Sequence, residues 1–324
     1  MQMRQLGKCP LQVSAVSFGT WLTAAGGIER ERAIHCIDAA LDCGITLFDT
    51  ANQYGAGHAE QLLGEALRAH PRDRYLIATK LYFPVGDEPD CGLSAAQIEK
   101  QLNRSLARLG VDTIDLYQCH RYDPQTPLHE TMEALDRAVR AGKVRAIGFS
   151  EWTAGQIDAA TETAARAGFT AFTSSQPQYS ILWRKPEASV FPACTRHGIG
   201  NLAYSPLAQG VLTGKYAPGQ PPPPGSRAAS SQMNVFMETS GRNYRSDYLL
   251  EAVAQLKPIA ADLGLTMAQM ALAWVLRRPE VASVIIGASH PEQIAGNVHA
   301  AAVILPEEAM TLIDQAVGHV VVRA

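Results

Sequence analysis

Short apolar runs recur along the chain, and each ends at or beside a polar residue. Eight stand out: Ala15–Gly19, Ile45–Asp49, Tyr75–Lys80, Ile114–His120, Val144–Ser150, Phe169–Gln176, Ile199–Ser205 and Ser283–Ser289. Amphipathic stretches long enough for helices separate most neighbours. Glu29–Cys43 carries Ala33, Ile34, Ile37, Ala40 and Leu41 at helical spacing and stops at Gly44. Glu60–Arg68, Ser94–Leu109, Leu128–Ala141, Thr153–Ala167 and Pro186–His197 repeat this grammar, with Ser94 as an N-cap and Gly110 as a terminator. Later helices are predicted over Tyr248–Leu263, over Thr266–Arg277, from Ser289 and Pro291 onward, and after Pro306 on the outside of the fold. Strand alternating with helix argues a parallel α/β fold, and eight units predict a (β/α)8 TIM barrel, one domain over residues 1–324. Residues 3–14 read as an N-terminal β-hairpin, Met3–Leu6 and Leu11–Ser14 around Gly7–Lys8, placed to plug the barrel's amino-terminal end.

After Leu212 the rhythm breaks. Residues 213–247 hold GKYAPGQPPPPGSRAASS and a Met- and Arg-bearing stretch, a long loop on the C-terminal face where such barrels do their chemistry. Four consecutive prolines stiffen part of it.

Composition narrows the function classes. At 324 residues and 47% hydrophobic, the chain can bury a full core. A formal net charge of −3 with interspersed signs gives no global field for nucleic acid or an anionic membrane. No run of eighteen apolar residues and no signal-type amino terminus occurs, so the expectation is a cytoplasmic protein without a membrane span. Six scattered cysteines without a C-x-x-C pair read as free thiols, and no metal site is expected.

Two constellations carry chemistry. Asp49 and Lys80 end the second and third runs, Tyr54 lies in the loop TANQYGAG, and His120 ends the fourth run. On adjacent strands, Asp49 would pair the Lys80 ammonium, and Lys80 would lower the Tyr54 pKa from about 10, making the phenol a proton donor to a carbonyl oxygen. Spacing alone leaves a structural salt bridge beside an unrelated tyrosine equally open. The second set suits a ligand. Ser150 and Gln176 can read an amide, Tyr204 offers a flat face, and Lys215 and Arg227 flank the proline-rich loop. Ser289 starts a helix whose free N–H groups suit an anion. This ordered set matches an extended nicotinamide dinucleotide, and with no G-x-G-x-x-G after a first strand a Rossmann mode is not indicated. Trp21, Tyr82, Phe83, Trp152 and Trp183 are candidates for an aromatic substrate wall.

The motifs FDTANQYGAGHAEQLLGEAL (48–67), ATK (78–80), LGVDTIDLYQCH (109–120), KVRAIGFSEW (143–152), YSPLAQGVLTGKY (204–216) and IIGASHPEQIAGN (285–297) together resemble the aldo-keto reductase superfamily over nearly the whole chain. GTWLTAAGGI (19–28), DPQTPLHETM (123–132) and GASHPEQ (287–293) resemble the branch of voltage-gated potassium-channel β-subunits and their bacterial relatives. The resemblance implies NADPH (NADP+) as cofactor and a small-molecule carbonyl as substrate, with a homo-oligomer left open. By position it implies Tyr54 as general acid, Lys80 and Asp49 as its activators, and His120, where channel subunits have asparagine, orienting the carbonyl. Thr20 and Trp21 would join the cofactor contacts, Ser150 and Gln176 would hold the carboxamide, and Tyr204 would stack on the ring. Ser205, Leu207, Gly210 and Lys215 would line the pyrophosphate, Arg227 would meet the 2′-phosphate, and Ser289, Gln293 and Asn297 would surround the adenosine end. Glu151, Gln293 and Gly296 depart from the residues many relatives carry. Two other functions stay open: a ketoreductase dedicated to one large metabolite, and a slow NADPH-binding regulatory subunit.

Overall fold

Eight parallel strands close into a barrel. In the computed structural model, which describes residues 1–25, 27–86, 90–239 and 241–323, they are β3 (Val16–Gly19), β4 (Leu47–Asp49), β5 (Leu76–Leu81), β6 (Ile114–Cys119), β7 (Val144–Ser150), β8 (Ser174–Gln176), β9 (Gly200–Ala203) and β12 (Val281–Ile286). They pair in chain order, and β12 closes the ring between β9 and β3. This is the expected TIM barrel. A hairpin of β1 (Met3–Gln5) and β2 (Gln12–Ser14) precedes it, and the two-residue strands β10 (Glu238–Thr239) and β11 (Arg242–Asn243) pair in the long loop.

The hairpin plugs the barrel as predicted. Leu6, Cys9 and Val13 are buried among Leu47, Ala78, Leu116, Ala146, Leu202 and Ala282, which come from β4, β5, β6, β7, β9 and β12. The hairpin turn needs Gly7. Its φ is 60°, and a Cβ there would collide with the backbone of Gly198 and Gly200 at the start of β9.

Several strands begin later than their apolar runs, for a common reason. Gly44 (φ 79°) ends helix Arg30–Asp42, and the Ile45 N–H then bonds the Ala40 carbonyl at 2.9 Å. Phe169 and Ile199 do the same to Ala164 and Cys194 after the helices Ala154–Ala167 and Val190–His197. The first apolar residue of each run therefore closes the preceding helix before the strand starts. After Phe169 the Thr170 N–H is taken by Asp136 Oδ1 at 2.8 Å, and β8 spans three residues instead of the predicted eight. β12 corrects the last run in the other direction, starting at Val281 and ending before Gly287.

Helix starts follow the expected caps. Ser94 accepts the Gln97 N–H, and Thr153 and Thr266 form capping boxes with Gln156 and Gln269, each cap being worth about 0.5–2 kcal/mol. Two helices differ from expectation. The stretch Tyr248–Leu263 is broken at Gln255 into Asp247–Ala254 and Leu256–Asp262, because Pro258 lacks the N–H that would continue the first helix. The stretch Pro186–His197 opens as a 3₁₀ turn at Lys185–Glu187, and its α-helix starts at Val190. Helix Thr20–Ala25 was not expected. The terminal helix Glu307–Val317 buries Ala309, Ile313 and Val317 on the outside of the fold, against Asp247–Ala254 and Leu256–Asp262. Among the described residues no single helix is long and apolar enough to cross a membrane.

Candidate active site

Parallel pairing brings all strand ends to one face, so Asp49, Lys80, His120, Ser150 and Gln176 converge there. Asp49 lies opposite Ala78 on β5, Lys80 opposite Gln118 on β6, and Ser150 opposite Gln176 on β8. Past β4 the chain stays tied to β5, with Thr50 N–H on Ala78 O at 2.9 Å and Asn52 N–H on Lys80 O at 3.1 Å. That tether carries Tyr54 back over Lys80. On the other side, the His120 N–H bonds Leu81 O at 2.8 Å, and the His120 and Tyr54 rings meet edge to face at 5.8 Å.

Lys80 is fully buried, and its three donors face three acceptors: Asp49 Oδ1 at 2.5 Å, Thr50 O at 2.8 Å and Tyr54 OH at 3.5 Å. Burial alone would lower its pKa, but Asp49 and Tyr54 outweigh burial and the net shift is upward. Lys80 is therefore an ammonium. For Tyr54 the sequence expectation is corrected. Burial raises its pKa by more than Lys80 lowers it, so the phenol is held more firmly protonated than usual. The imidazole of His120 is driven well below its ordinary range, first by burial and then by Lys80 and Arg121, and is neutral at physiological pH with Nδ1 unpartnered.

These groups border a cavity of about 1000 Å³ on the C-terminal face. Asp49, Tyr54 and His120 line it, with Lys80 just behind. So do Trp21, Ser150, Gln176, Tyr204, Ser205, Leu207, Gly210, Lys215, Arg227, Ser289, Gln293 and Asn297. Thr20 is the exception. It is wholly buried with its hydroxyl unpartnered, between the lining residues Gly19 and Trp21.

Along this wall, the Gln176 amide donates to Asp49 Oδ2 at 2.8 Å, and the Ser150 hydroxyl donates to the Gln176 carbonyl at 2.8 Å. Both side chains thus keep oxygen acceptors for a ligand. Beyond β9, Ser205 (φ 51°), Ala208 (φ 47°) and Gln209 (φ 60°) are left-handed without being glycine, followed by Gly210 (φ 91°). Strain of this kind concentrates where a backbone is shaped for a ligand. Gln209 also accepts a hydrogen bond from Arg227, whose guanidinium lies 4.9 Å over the Trp21 ring. Burial lowers the Arg227 pKa to about 10, and burial followed by Arg227 lowers that of Lys215, so both remain cations near neutral pH. Neither has a carboxylate within ion-pair distance among the described residues. Such a pair on a cavity wall could hold the phosphates of a ligand.

Two expectations at the far end change. Ser289 does not open its helix: His290 precedes Pro291, where the helix Pro291–Val298 begins, and the Ser289 N–H is held by Gln293 Oε1 at 2.9 Å. The long loop is also not structureless. It carries 3₁₀ turns at Arg227–Ala229 and Asn234–Met237 and the β10–β11 pair, and it lays Gly225, Ser226, Arg227, Met233 and Phe236 along the cavity, while Ser240 lies outside the described residues. The aromatic wall is corrected as well. Trp152 is buried against Phe149, Phe172 and Tyr122, and Trp183 pairs with Val322, whereas Phe236 stands against Trp21 at 4.6 Å. Sequence reasoning missed Arg32, Arg121, Gln209 and Phe236. Only Arg121 carried a signal, its place directly after His120.

The structure is thus a parallel eight-stranded barrel with a buried Lys–Asp–Tyr cluster at its strand ends, beside a cavity whose cations have no carboxylate partner among the described residues. The Aldo/keto reductase family profile matches residues 15–317, and the chain belongs to that family. The chain is 38% identical over 307 residues to a probable voltage-gated potassium channel subunit beta of Arabidopsis thaliana, covering 94% of this chain and 92% of that one. The same figures hold for a probable channel subunit beta of Oryza sativa subsp. japonica. A putative channel subunit beta of Schizosaccharomyces pombe is 38% identical over 320 residues, covering 96% of this chain and 92% of that one. Membership supports an NAD(P)H-dependent oxidoreductase.

Proposed function

We propose that this protein is a cytoplasmic NADPH-dependent carbonyl reductase that converts an aldehyde or ketone to an alcohol, with Tyr54 as general acid. The observation that carries the reading is the joining of two sites in one cavity: the Asp49–Lys80–Tyr54–His120 cluster at one end and the Lys215–Arg227 pair at the other.

The bound dinucleotide would supply the hydride, and this chain's residues do the rest. Tyr54, protonated at neutral pH, donates to the carbonyl oxygen as charge develops there. Lys80, fixed by Asp49, stabilises the phenolate left behind. Neutral His120 is suited to donating a hydrogen bond to the same oxygen and orienting it. Ser150 and Gln176, each with a free acceptor, would hold the carboxamide N–H₂ and Tyr204 its ring. Ser205, Leu207, Gly210 and Lys215 would follow the pyrophosphate, Arg227 the 2′-phosphate, and Ser289, Gln293 and Asn297 the adenosine. The 2′-phosphate role of Arg227 is what favours NADPH over NADH.

The test is NADPH consumption by the purified protein with a panel of aldehydes, sugars and ketones. Tyr54→Phe should lower kcat by about 10²-fold or more, with NADPH affinity unchanged in titrations. Reduction should stay flat from about pH 7 to 9 and decline only when Tyr54 ionises, above about pH 10. A mutant that keeps most of its turnover would reject the assignment. The names of the relatives favour a second reading, a slow NADPH-binding subunit that reports redox state to a partner. Tight NADPH binding with negligible turnover on the whole panel would select it.

A further inference from the structure

Charge on the cavity wall is lopsided. Asp49 is the sole carboxylate among the described lining residues, against the cations Arg32, Arg121, Lys215 and Arg227. Asp49 is already neutralised by Lys80. Lys215 and Arg227 stand at the end assigned to phosphates. Arg121 stands at the other, beside the reacting groups, and the proposed reduction gives it no task.

Its position is well defined. Arg121 follows His120 at the end of β6, and its guanidinium lies 5.4 Å over the Phe83 ring, itself 5.1 Å from the His120 ring. The charge is felt at Tyr54, His120 and Tyr204, which surround that end of the cavity. One Nη1 hydrogen bond, to the His120 carbonyl at 2.6 Å, is its sole hydrogen bond among the described residues, which leaves most of its five N–H donors unused. Among the described residues no carboxylate pairs with it. Glu151, the acid beside Tyr204, instead accepts the Gln178 N–H at 2.7 Å. A prop for Phe83 would need only the flat face of the guanidinium. An unpaired cation on a cavity wall, with donors to offer, is a receptor for an anion that arrives with a ligand.

We infer that Arg121 selects carbonyl substrates that carry an anionic group, a carboxylate or a phosphate, close to the reacting C=O. It grips that group while Tyr54 and His120 address the carbonyl oxygen. The inference deepens the carbonyl-reductase reading and rests on it for the identity of the reacting group. Partial exclusion of water strengthens the attraction relative to a surface pair, and the planar fork favours bidentate contact.

The test compares matched pairs with NADPH-saturated protein: 4-carboxybenzaldehyde against its methyl ester, and glyceraldehyde 3-phosphate against glyceraldehyde. The anionic member should win by about 10- to 100-fold in kcat/KM, mostly through KM, and the advantage should shrink with added salt. Preference in one pair alone assigns the anion as carboxylate or phosphate. Arg121→Gln should bring the ratio towards one, and Arg121→Lys should retain part of it. A merely structural role would slow both members alike and leave the ratio unmoved, and that result, or a wild-type ratio near one in both pairs, overturns the inference. Calorimetry of 4-carboxybenzyl alcohol and its methyl ester on NADP+-saturated protein separates this failure from that of the reductase reading. A charge preference lost in Arg121→Gln upholds the anion site even without turnover, and equal binding of acid and ester overturns it.

Discussion

At one end of the cavity the Lys80 ammonium meets a carboxylate, a carbonyl and a phenol; at the other, Lys215 and Arg227 meet no acid among the described residues. The first end is built on strand termini. Asp49, Lys80 and His120 are held by barrel pairing, and the Lys80 charge is balanced by Asp49, which leaves Arg121 as the cation at this end without a carboxylate among the described residues. The second end is built largely on the segment after β9, with left-handed residues and cations whose counter-charge is missing. Balanced charge on rigid strands suits chemistry that must not wander by an ångström. Unbalanced charge on a loop suits a ligand that brings its own anions and can order the loop as it binds.

That contrast can be broken most directly at Lys80. Replacing it with methionine strands Asp49 as an unpaired buried carboxylate, so folding stability should fall by about 3–5 kcal/mol along with loss of carbonyl reduction. Denaturant unfolding read beside turnover checks both, and an equally stable Lys80→Met protein would mean that the balance at this end is not structural. At the opposite end Arg227→Ala should leave stability nearly unchanged but weaken NADPH by about 1.5–3 kcal/mol, with NADH almost unaffected. Equal weakening of the two cofactors in fluorescence titrations would move Arg227 from the 2′-phosphate to the shared pyrophosphate. The smallest effect sharpens the loop half of the comparison. Segment 213–230 should act as a clasp, hinged at Gly214, Gly219 and Gly225, and gain more hydrogen-exchange protection on NADPH binding than any other loop. Exchange at the same rate with and without cofactor would remove the clasp.

The strand-end residues were legible because a buried parallel strand writes itself as an apolar run with a polar stop. Asp49, Lys80 and His120 could be named from that alone, and pairing order then put them together. Tyr54 was legible through its loop motif, but the sign of its pKa shift was not, since the competition between burial and a single hydrogen bond of 3.5 Å depends on three-dimensional enclosure. Thr20 shows how far burial depends on tertiary structure. It lies one residue past β3 at the start of the helix Thr20–Ala25, buried with its hydroxyl unpartnered, while its neighbours Gly19 and Trp21 line the cavity. Gln209 and Phe236 had no sequence signal, because nothing local marks a residue that meets Arg227 or Trp21 across a loop.

By itself, the sequence determined the number and order of the barrel strands, the barrel class, the plugging hairpin, the Ser94 cap and the Gly110 terminator, and which strand ends and loop carry Asp49, Lys80, His120 and Tyr54. Each depends on local pattern: apolar period, cap chemistry, and the fact that consecutive parallel strands neighbour one another. Tertiary structure alone decided which charges are compensated, which phenol and imidazole keep or lose their protons, and which cations face the cavity without a partner. Those properties are sums over groups distant in the chain. Desolvation and Coulomb interaction depend on what surrounds a side chain in space, and that becomes defined only when the barrel closes.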